Sequence, residues 1–465
     1  MAVEIDSNVT ENLSDKTVLG LIRRETVDIY NRIHSIADDI EFVNLVHAAY
    51  PDLPVLPNLR CGAWYVDPAI SAGVPAYFKS TDGHTGNWMF SLRRANMHLV
   101  PLISSHGGAI LIDSTRAGKH IPDALSKTIP IWCAVVNRAV ALRYPDEKCA
   151  KWDKALYTPP GVVSAQEHSM IEAQVDNWAK ALASSTYAIP LLTRSLRPIW
   201  VTPSTSVFPV LSEAYCAVVC VSASRRVDLG WERRSEGFAY VQGAGDDHEL
   251  WGMGLTPDLF WAHRIQILSA TRADINDLVK GIVDAAGPAF TRSQPTPVLP
   301  VSGRIQLAAI ADVLDVVGRL PEHGSEGIAY ILVSVTPLSI PDGPHALILH
   351  VDKKLAARQF REHVLPQSMV FTRVALLRGD HVCIACESGS DLSVGIALAA
   401  LQMFFDDEGH VVVGKHDRSA SNMASKTSIG RRLEWILATR PQTRFPSTTR
   451  KRVNEFLLTR SSFRP

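Results

Sequence analysis

The chain has 465 residues and a mass of 51.0 kDa, too long for one small module and enough for two or three domains. With 46% apolar and 20% charged residues it can bury a substantial core, which excludes a disordered chain. Forty-seven Lys and Arg balance 47 Asp and Glu, so a basic coat over the whole surface is excluded while a local basic face is not.

The first sixteen residues hold no basic stretch followed by an apolar one, so no secretory signal is expected. Leu19, Ile22, Ile29, Ile33, Ile36, Ile40 and Val43 recur at helical spacing, predicting one or two amphipathic helices over 17–50 that end at Pro51, Pro54 and Pro57. Gly108–Asp113 and Val218–Val221 are short apolar runs bounded by turn formers and predict buried strands. Between them, Ile171, Val175, Trp178 and Leu182 predict a helix near 165–184. Alternating strands and helices predict an α/β first part, without a dinucleotide-binding or Walker glycine loop.

Three prolines within Thr291–Pro300 predict a linker. A second α/β part follows from about 301, with a strand at His381–Cys386 and an uncharged helix at Val394–Phe405. No run reaches the roughly 18 apolar residues of a membrane span. The seven cysteines are too few and uneven for a disulfide framework and fit a reducing, cytoplasmic setting. Cys383 and Cys386 form a single CxxC with no second pair, a weak zinc signal. From Lys415 onward twelve basic residues face three acids, so the tail carries about +9 and suits a phosphate backbone.

Strand, Cys386-Glu-Ser-Gly-Ser-Asp-Leu-Ser393, then helix is the layout of a phosphate loop, in which backbone N–H groups and a helix N-terminus converge on an anion. It resembles the loop of the cysteine-dependent, dual-specificity-type phosphatases, whose arginine position holds Leu392 here. Without that bidentate donor, phosphatase chemistry is not expected and an anion nest is. Cys386, Ser388, Gly389, Ser390, Asp391 and Ser393 are its candidate phosphate-binding residues.

Three dense polar runs mark the first part. Lys79-Ser-Thr-Asp-Gly-His-Thr-Gly-Asn-Trp88 with Arg93 and Arg94 suits a phosphorylated ligand. Ile112-Asp-Ser-Thr-Arg-Ala-Gly-Lys-His-Ile-Pro-Asp123, with Lys127 beyond, places Arg116 and Lys119 just after a strand, where open α/β sheets bind ligands. Gln242-Gly-Ala-Gly-Asp-Asp-His-Glu249 sets carboxylates beside an imidazole, as an acid/base pair or a Mg²⁺ site. Taken singly, such runs are also ordinary turn chemistry.

Together the three runs, extended to Lys79–Leu99, Asp113–Ala139 and Gln242–Trp251, resemble the initiator-tRNA 2′-O-ribosyl-phosphate transferase family of fungi and plants. The resemblance covers most of 20–455 and implies two α/β domains, a catalytic one over 1–291 and a dual-specificity-phosphatase-like one over 292–465. The implied reaction moves a ribosyl-phosphate from phosphoribosyl pyrophosphate, with Mg²⁺, to the 2′-hydroxyl of adenosine 64 in the T stem of initiator methionine tRNA, keeping it out of elongation. Under this reading Asp82, His84, Asp246 and Asp247 are the catalytic candidates, with Asp246 and Asp247 also as metal ligands. Lys79, Arg93, Arg94, Asp113, Ser114, Thr115, Arg116, Lys119 and Lys127 are substrate-binding candidates. Arg431, Arg432, Arg450, Lys451 and Arg452 are the candidates for the RNA backbone. The alternative is a non-catalytic, pseudophosphatase-type protein that docks phosphate or RNA; the acidic and basic runs of the first part are what such a module would not need.

Overall fold

The computed structural model describes residues 24–458 except 60, 117, 146–148, 150–151, 186, 228–230, 235–236, 287–294, 319–326, 339–342, 353–355, 414–423, 441–442 and 444. Leu19, Ile22, Thr291–Gln294 of the expected linker, and Lys415, Arg418, Arg444, Arg460 and Arg464 of the basic tail lie outside the described residues. The chain divides into two compact units, one of 1–91, 99–184 and 189–286, the other of 92–98, 185–188 and 287–465. Both are α/β.

The first unit is built on a four-stranded sheet, β1 (Val55–Pro57), β2 (Gly108–Asp113), β3 (Ser195–Val201) and β4 (Tyr215–Ser222), in the order β1-β2-β4-β3. Every pairing is parallel. Helix α1 (Ile29–Ala49) starts where the Asp28 side chain accepts from the Asn31 amide. It lays Ile29, Ile33, Ile36, Ile40 and Val43 against Val55, Ile110, Ile112, Val219 and Val221, and α4 (Ile275–Ala286, preceded by α2 and α3 below) joins the same core through Val279 and Ile282. Helix α2 (Ile129–Arg143) packs on β3 and on α3 (Ala165–Ala183). In α3 the buried stripe is Ile171, Val175, Ala179 and Leu182, so the stripe runs through Ala179 where sequence spacing pointed to Trp178. Parallel strands point all four C-terminal ends to one edge, where ligands gather in open α/β sheets.

The second unit has a five-stranded sheet of β7 (Thr296–Pro297), β8 (Ile305–Ala309), β9 (Ile328–Ser334), β10 (Ala346–His350) and β11 (His381–Cys386), in the order β10-β9-β11-β8-β7, after the small β5–β6 ribbon (Trp231–Arg233 with Ala239–Val241) of the first. Only β7 is antiparallel. Part of the stretch expected as linker is therefore an edge strand, a position that tolerates Pro297 because an edge N–H needs no partner. Helix α5 (Leu365–Arg378) and the apolar α6 (Leu392–Phe404) cover the sheet, and α7 (Lys426–Thr439) and α8 (Ser447–Leu458) both pack on α6. Such wrapping explains why α6 carries no charged residue: Val394 to Leu401 are buried all round. Cys383 and Cys386 are buried and free. Three residues apart on a strand, they point to opposite faces and cannot chelate one ion. Among the described residues no helix is long and apolar enough to cross a membrane.

Candidate active site

The loops at the carboxyl edge of the first sheet are fastened by a buried polar network. Asp113 ends β2 with no exposure. Its oxygens accept from Asn58 Nδ2 at 2.9 Å, Cys61 Sγ at 2.9 Å and the Ser114 amide at 2.9 Å. Ser114 Oγ lies 2.8 Å from Ser224 Oγ and accepts from the Tyr65 hydroxyl at 3.2 Å. Ser224 in turn donates to Asp39 Oδ2 at 2.6 Å, and Tyr240 donates to Asp39 Oδ1 at 2.6 Å. Asp113 and Ser114, expected to touch substrate, are thus enclosed and spent on loop fastening, because the end of β2 dives under the following turn. Burial pushes the Asp39 carboxyl up to about 8, despite the hydrogen bonds of Ser224 and Tyr240 that favour its charged form.

The second and third polar runs meet above this network. Gln242 Nε2 donates to the carbonyls of Arg116 at 3.2 Å and Lys119 at 2.8 Å. Gly243 has φ +69°, and a Cβ there would sit 2.5 Å from the Thr115 carbonyl oxygen, so both the left-handed turn and the close approach require glycine. Arg116 lies across the two acids, its Nε 3.4 Å from Asp246 Oδ2 and its Nη1 2.9 Å from Asp247 Oδ2. Asp246 is 2% exposed. A cation already neutralises the pair expected to hold Mg²⁺, and no three His, Cys, Asp or Glu side chains gather as a metal site among the described residues. The residues do not fit a metal centre. Thr115 is buried under Gly243, and Asp82 is buried in the turn Ser80–Gly83.

The first and second runs meet elsewhere and form a cleft of ≈ 500 Å³, lined in part by His84, Thr85, Lys119, His120, Asp123, Ser126, Lys127, Glu167 and Arg226. Gly83 allows the contact: a Cβ there would lie 2.7 Å from the Asp123 carbonyl oxygen. Two carboxylates organise the cations. Asp123 binds Lys119 Nζ, Lys127 Nζ at 3.2 Å and His84 Nε2 at 3.6 Å. Glu167, in the first turn of α3, accepts from Trp88 Nε1 at 2.8 Å, Thr85 Oγ1 at 3.0 Å and Lys127 Nζ at 3.2 Å. Burial alone would raise the Asp123 carboxyl, but the hydrogen bonds and charges of Lys119 and Lys127 outweigh it and hold it below its ordinary value. At Glu167 burial is likewise outweighed by Trp88, Lys127 and Thr85. Lys127 is 8% exposed, so the ammonium is held deep in the cleft with both acids as counter-charges.

Ser126 marks the floor. It lies in a single π-helical turn, Ala124–Thr128, that feeds α2; such turns are frequent at functional sites. The Ser126 hydroxyl is buried without a hydrogen-bond partner among the described residues. A hydroxyl, two lysines, two histidines and Arg226 around one cleft suit a ligand with several phosphate oxygens. Lys119, Lys127 and His84 of the sequence reading are brought together here, and Lys79 stays exposed, its carbonyl accepting from Thr128 Oγ1 at 3.1 Å. His120, Ser126, Glu167 and Arg226 were not singled out from sequence; His120 and Ser126 sit inside or beside the second run, whereas Glu167 and Arg226 carry no local signal.

In the second unit the loop after β11 has Gly389 at φ +62°, where a Cβ would be 2.7 Å from the Ala308 backbone. Cys386 Sγ lies 3.1 Å from Ser393 Oγ, and Ser390 donates to Ser388 Oγ at 2.9 Å. Glu387 turns to Ser334 Oγ at 3.0 Å and the Val335 amide at 2.5 Å. Asp391 accepts from Thr449 Oγ1 at 2.6 Å, and burial raises its carboxyl despite that bond. Leu392 packs on the core of this unit, so the arginine position of the phosphatase loop is used for apolar burial. Of the basic candidates, Arg432 is 1% exposed and donates to the Phe405 carbonyl at 3.1 Å, while pairing with Asp407 at 2.9 Å. Arg431 pairs with the same Asp407, and Arg452 with Glu455 at 2.7 Å. Arg432 is therefore a buried strut, contrary to the expectation of an RNA contact, because α7 packs that face onto α6. Lys451 is exposed. Arg93 and Arg94 belong to this second unit and do not line the cleft of the first.

Comparison with known proteins gives consistent relatives. The family model described as the Rit1 N-terminal domain matches residues 22–284, and that described as the Rit1 DUSP-like domain matches 346–457. The tRNA A64-2′-O-ribosylphosphate transferase of Saccharomyces cerevisiae is 32% identical over 458 residues, covering 87% of each chain. An uncharacterised protein of Schizosaccharomyces pombe is 34% identical over 406 residues, covering 84% of this chain and 85% of the relative. Among solved structures, a leucine-rich-repeat and phosphatase-domain protein of Entamoeba histolytica aligns with 36% of this chain and 94% of its own, at 14% identity and a TM-score of 0.24.

Proposed function

This chain belongs to the initiator-tRNA 2′-O-ribosyl-phosphate transferase family, and from that premise we propose that it modifies the 2′-hydroxyl of adenosine 64 in initiator methionine tRNA, in the cytoplasm, with phosphoribosyl pyrophosphate as donor. The observation that carries the reading is the identity, over 87% of both chains, with the budding yeast transferase. Reaction requires the 2′-oxygen to form a bond to C1 of the donor ribose while the C1–oxygen bond to pyrophosphate breaks. The 2′-proton passes to a base and the electron pair leaves with pyrophosphate.

The cleft of the first unit has the groups for this. Lys119, Lys127 and Arg226 face the leaving pyrophosphate, whose developing charge they stabilise. Ser126 donates to a phosphate oxygen its hydroxyl, which has no partner among the described residues. His84, held by Asp123 at 3.6 Å, is the candidate base for the 2′-hydroxyl. Asp246 and Asp247 keep the 113–116 and 242–247 loops in place through Arg116.

Incubation of the protein with phosphoribosyl pyrophosphate, Mg²⁺ and unmodified initiator tRNA is expected to add one ribosyl-phosphate, read by mass analysis of nuclease fragments from the T stem. His84→Gln is expected to lower the transfer rate by about 10²–10⁴-fold, the range for a lost general base, with donor binding retained. No added mass with the parent protein rejects the reading.

A further inference from the structure

Glu167 is the third residue of α3, and its amide donates to the N-cap Ser164 Oγ at 3.1 Å. At that place in a Ser-x-x-Glu helix start the carboxylate ordinarily turns back to the N-cap amide and serves the helix. Here it turns away from α3, and one oxygen takes every bond: Oε1 accepts from Trp88 Nε1 at 2.8 Å, Thr85 Oγ1 at 3.0 Å and Lys127 Nζ at 3.2 Å. Oε2 takes no hydrogen bond among the described residues, and it is not sealed from solvent. The side chain is 14% exposed and lines the cleft of the first unit.

Three donors on Oε1 fix the carboxylate in place. Burial works against its charge, and the bonds from Trp88, Lys127 and Thr85 outweigh it, so the carboxyl is held below its ordinary value. A fixed, charged oxygen open to a cleft accepts hydrogen bonds and donates none. It repels phosphate oxygens, so the phosphates of a ligand belong with Lys119, Arg226 and Ser126 on the rest of the lining. A cationic ligand group is disfavoured as well, since the cleft already sets Lys119, Lys127 and Arg226 against Asp123 and Glu167. What remains is a neutral donor carried on the same molecule as the phosphates, and a sugar hydroxyl meets both conditions. In phosphoribosyl pyrophosphate the ring hydroxyls lie a few bonds from both phosphate groups, so one cleft of ≈ 500 Å³ can engage them together.

We propose that Glu167 is a specificity-determining residue for the donor, its Oε2 accepting a hydrogen bond from a ring hydroxyl of the donor ribose. The proposal rests on the transferase reading above and adds to it a contact that selects a fully hydroxylated sugar.

The test measures binding of phosphoribosyl pyrophosphate and of its 2-deoxy and 3-deoxy forms to the full-length chain by calorimetry. The parent is expected to bind at least one deoxy form about 10–100-fold more weakly, the size of one hydrogen bond to a charged group. Glu167→Gln keeps the size, and its single oxygen stays with Trp88, Thr85 and Lys127, which leaves an uncharged amide nitrogen in place of Oε2. The gap between full and deoxy donor should then shrink several-fold, whereas a residue that merely held Lys127 would lower both affinities together and leave the gap unchanged. Glu167→Asp keeps the charge but falls short by one methylene, and should shrink the gap likewise at an unchanged melting temperature. A parent that modifies tRNA and binds all three donors equally, or variants that fold and keep its gap, overturns the role of Glu167 and leaves the function standing. A parent that binds none of the donors and adds no mass to tRNA overturns the function itself. Weaker tRNA binding in Glu167→Gln with an unchanged donor gap would set the carboxylate against the RNA and overturn it as a donor contact.

Discussion

Asp39 shows how a single carboxyl can carry pH dependence for a whole unit. Its folded value of about 8 lies above the ordinary 3.8, so the folded state binds a proton that the unfolded state releases. Its contribution to stability is therefore fully present below pH about 4, falls as pH rises, and is lost above about 8. Asp39→Asn keeps the shape and removes the ionisation. The difference in melting temperature between parent and variant is expected to shift towards the variant from pH 5 to pH 8, and an unchanged difference would remove the buried acid from the account. Ser126 gives the opposite kind of test, since its hydroxyl has no hydrogen-bond partner among the described residues. Ser126→Ala should leave the melting temperature unchanged while weakening donor binding about 10–100-fold, the size of one hydrogen bond to a charged group. Equal donor affinity in both proteins would clear Ser126 of a role.

At the level of elements, the loops after β2 and β6 owe their contact to one glycine. Gly243→Ala forces a side chain into a left-handed turn 2.5 Å from the Thr115 carbonyl oxygen. Destabilisation of about 1–3 kcal/mol is expected from the backbone strain alone, with the clash adding to it, and chemical denaturation reads it directly. Much of this scaffold was legible beforehand. The isoleucines of α1 and the runs at Gly108–Asp113 and Val218–Val221 announce helix and strands, because periodicity records burial. Residues of the first and second polar runs line the cleft. Their roles did not follow, since Asp113, Ser114 and Arg432 look like ligand contacts in one dimension and are buried partners of Asn58, Tyr65 and Asp407 in three. Glu167 and Arg226 were invisible for the converse reason: a carboxylate in a first helical turn and an arginine after a strand are unremarkable until the fold sets them on one cleft.

For the molecule as a whole, the division into units does not coincide with a single cut in the chain. Residues 92–98 and 185–188 group with the C-terminal half, so a fragment starting at 292 lacks the turn that packs on α7. Such a fragment is expected to melt at a lower temperature than the same unit within the full chain, and a synthetic peptide of residues 91–98 added in excess should raise it by mass action. An identical transition for the fragment, with no response to peptide, would show the borrowed turn to be a passenger.

The borrowed turn also sets an order of events during synthesis. The ribosome delivers Leu92–Arg94 more than three hundred residues before Lys426–Thr439, the helix on which that turn packs. At roughly 5–20 residues per second, the turn waits on the order of tens of seconds for its docking place to emerge. Arg93, Arg94 and Asn96 make that waiting segment polar, and of the three Asn96 becomes buried once the unit is complete.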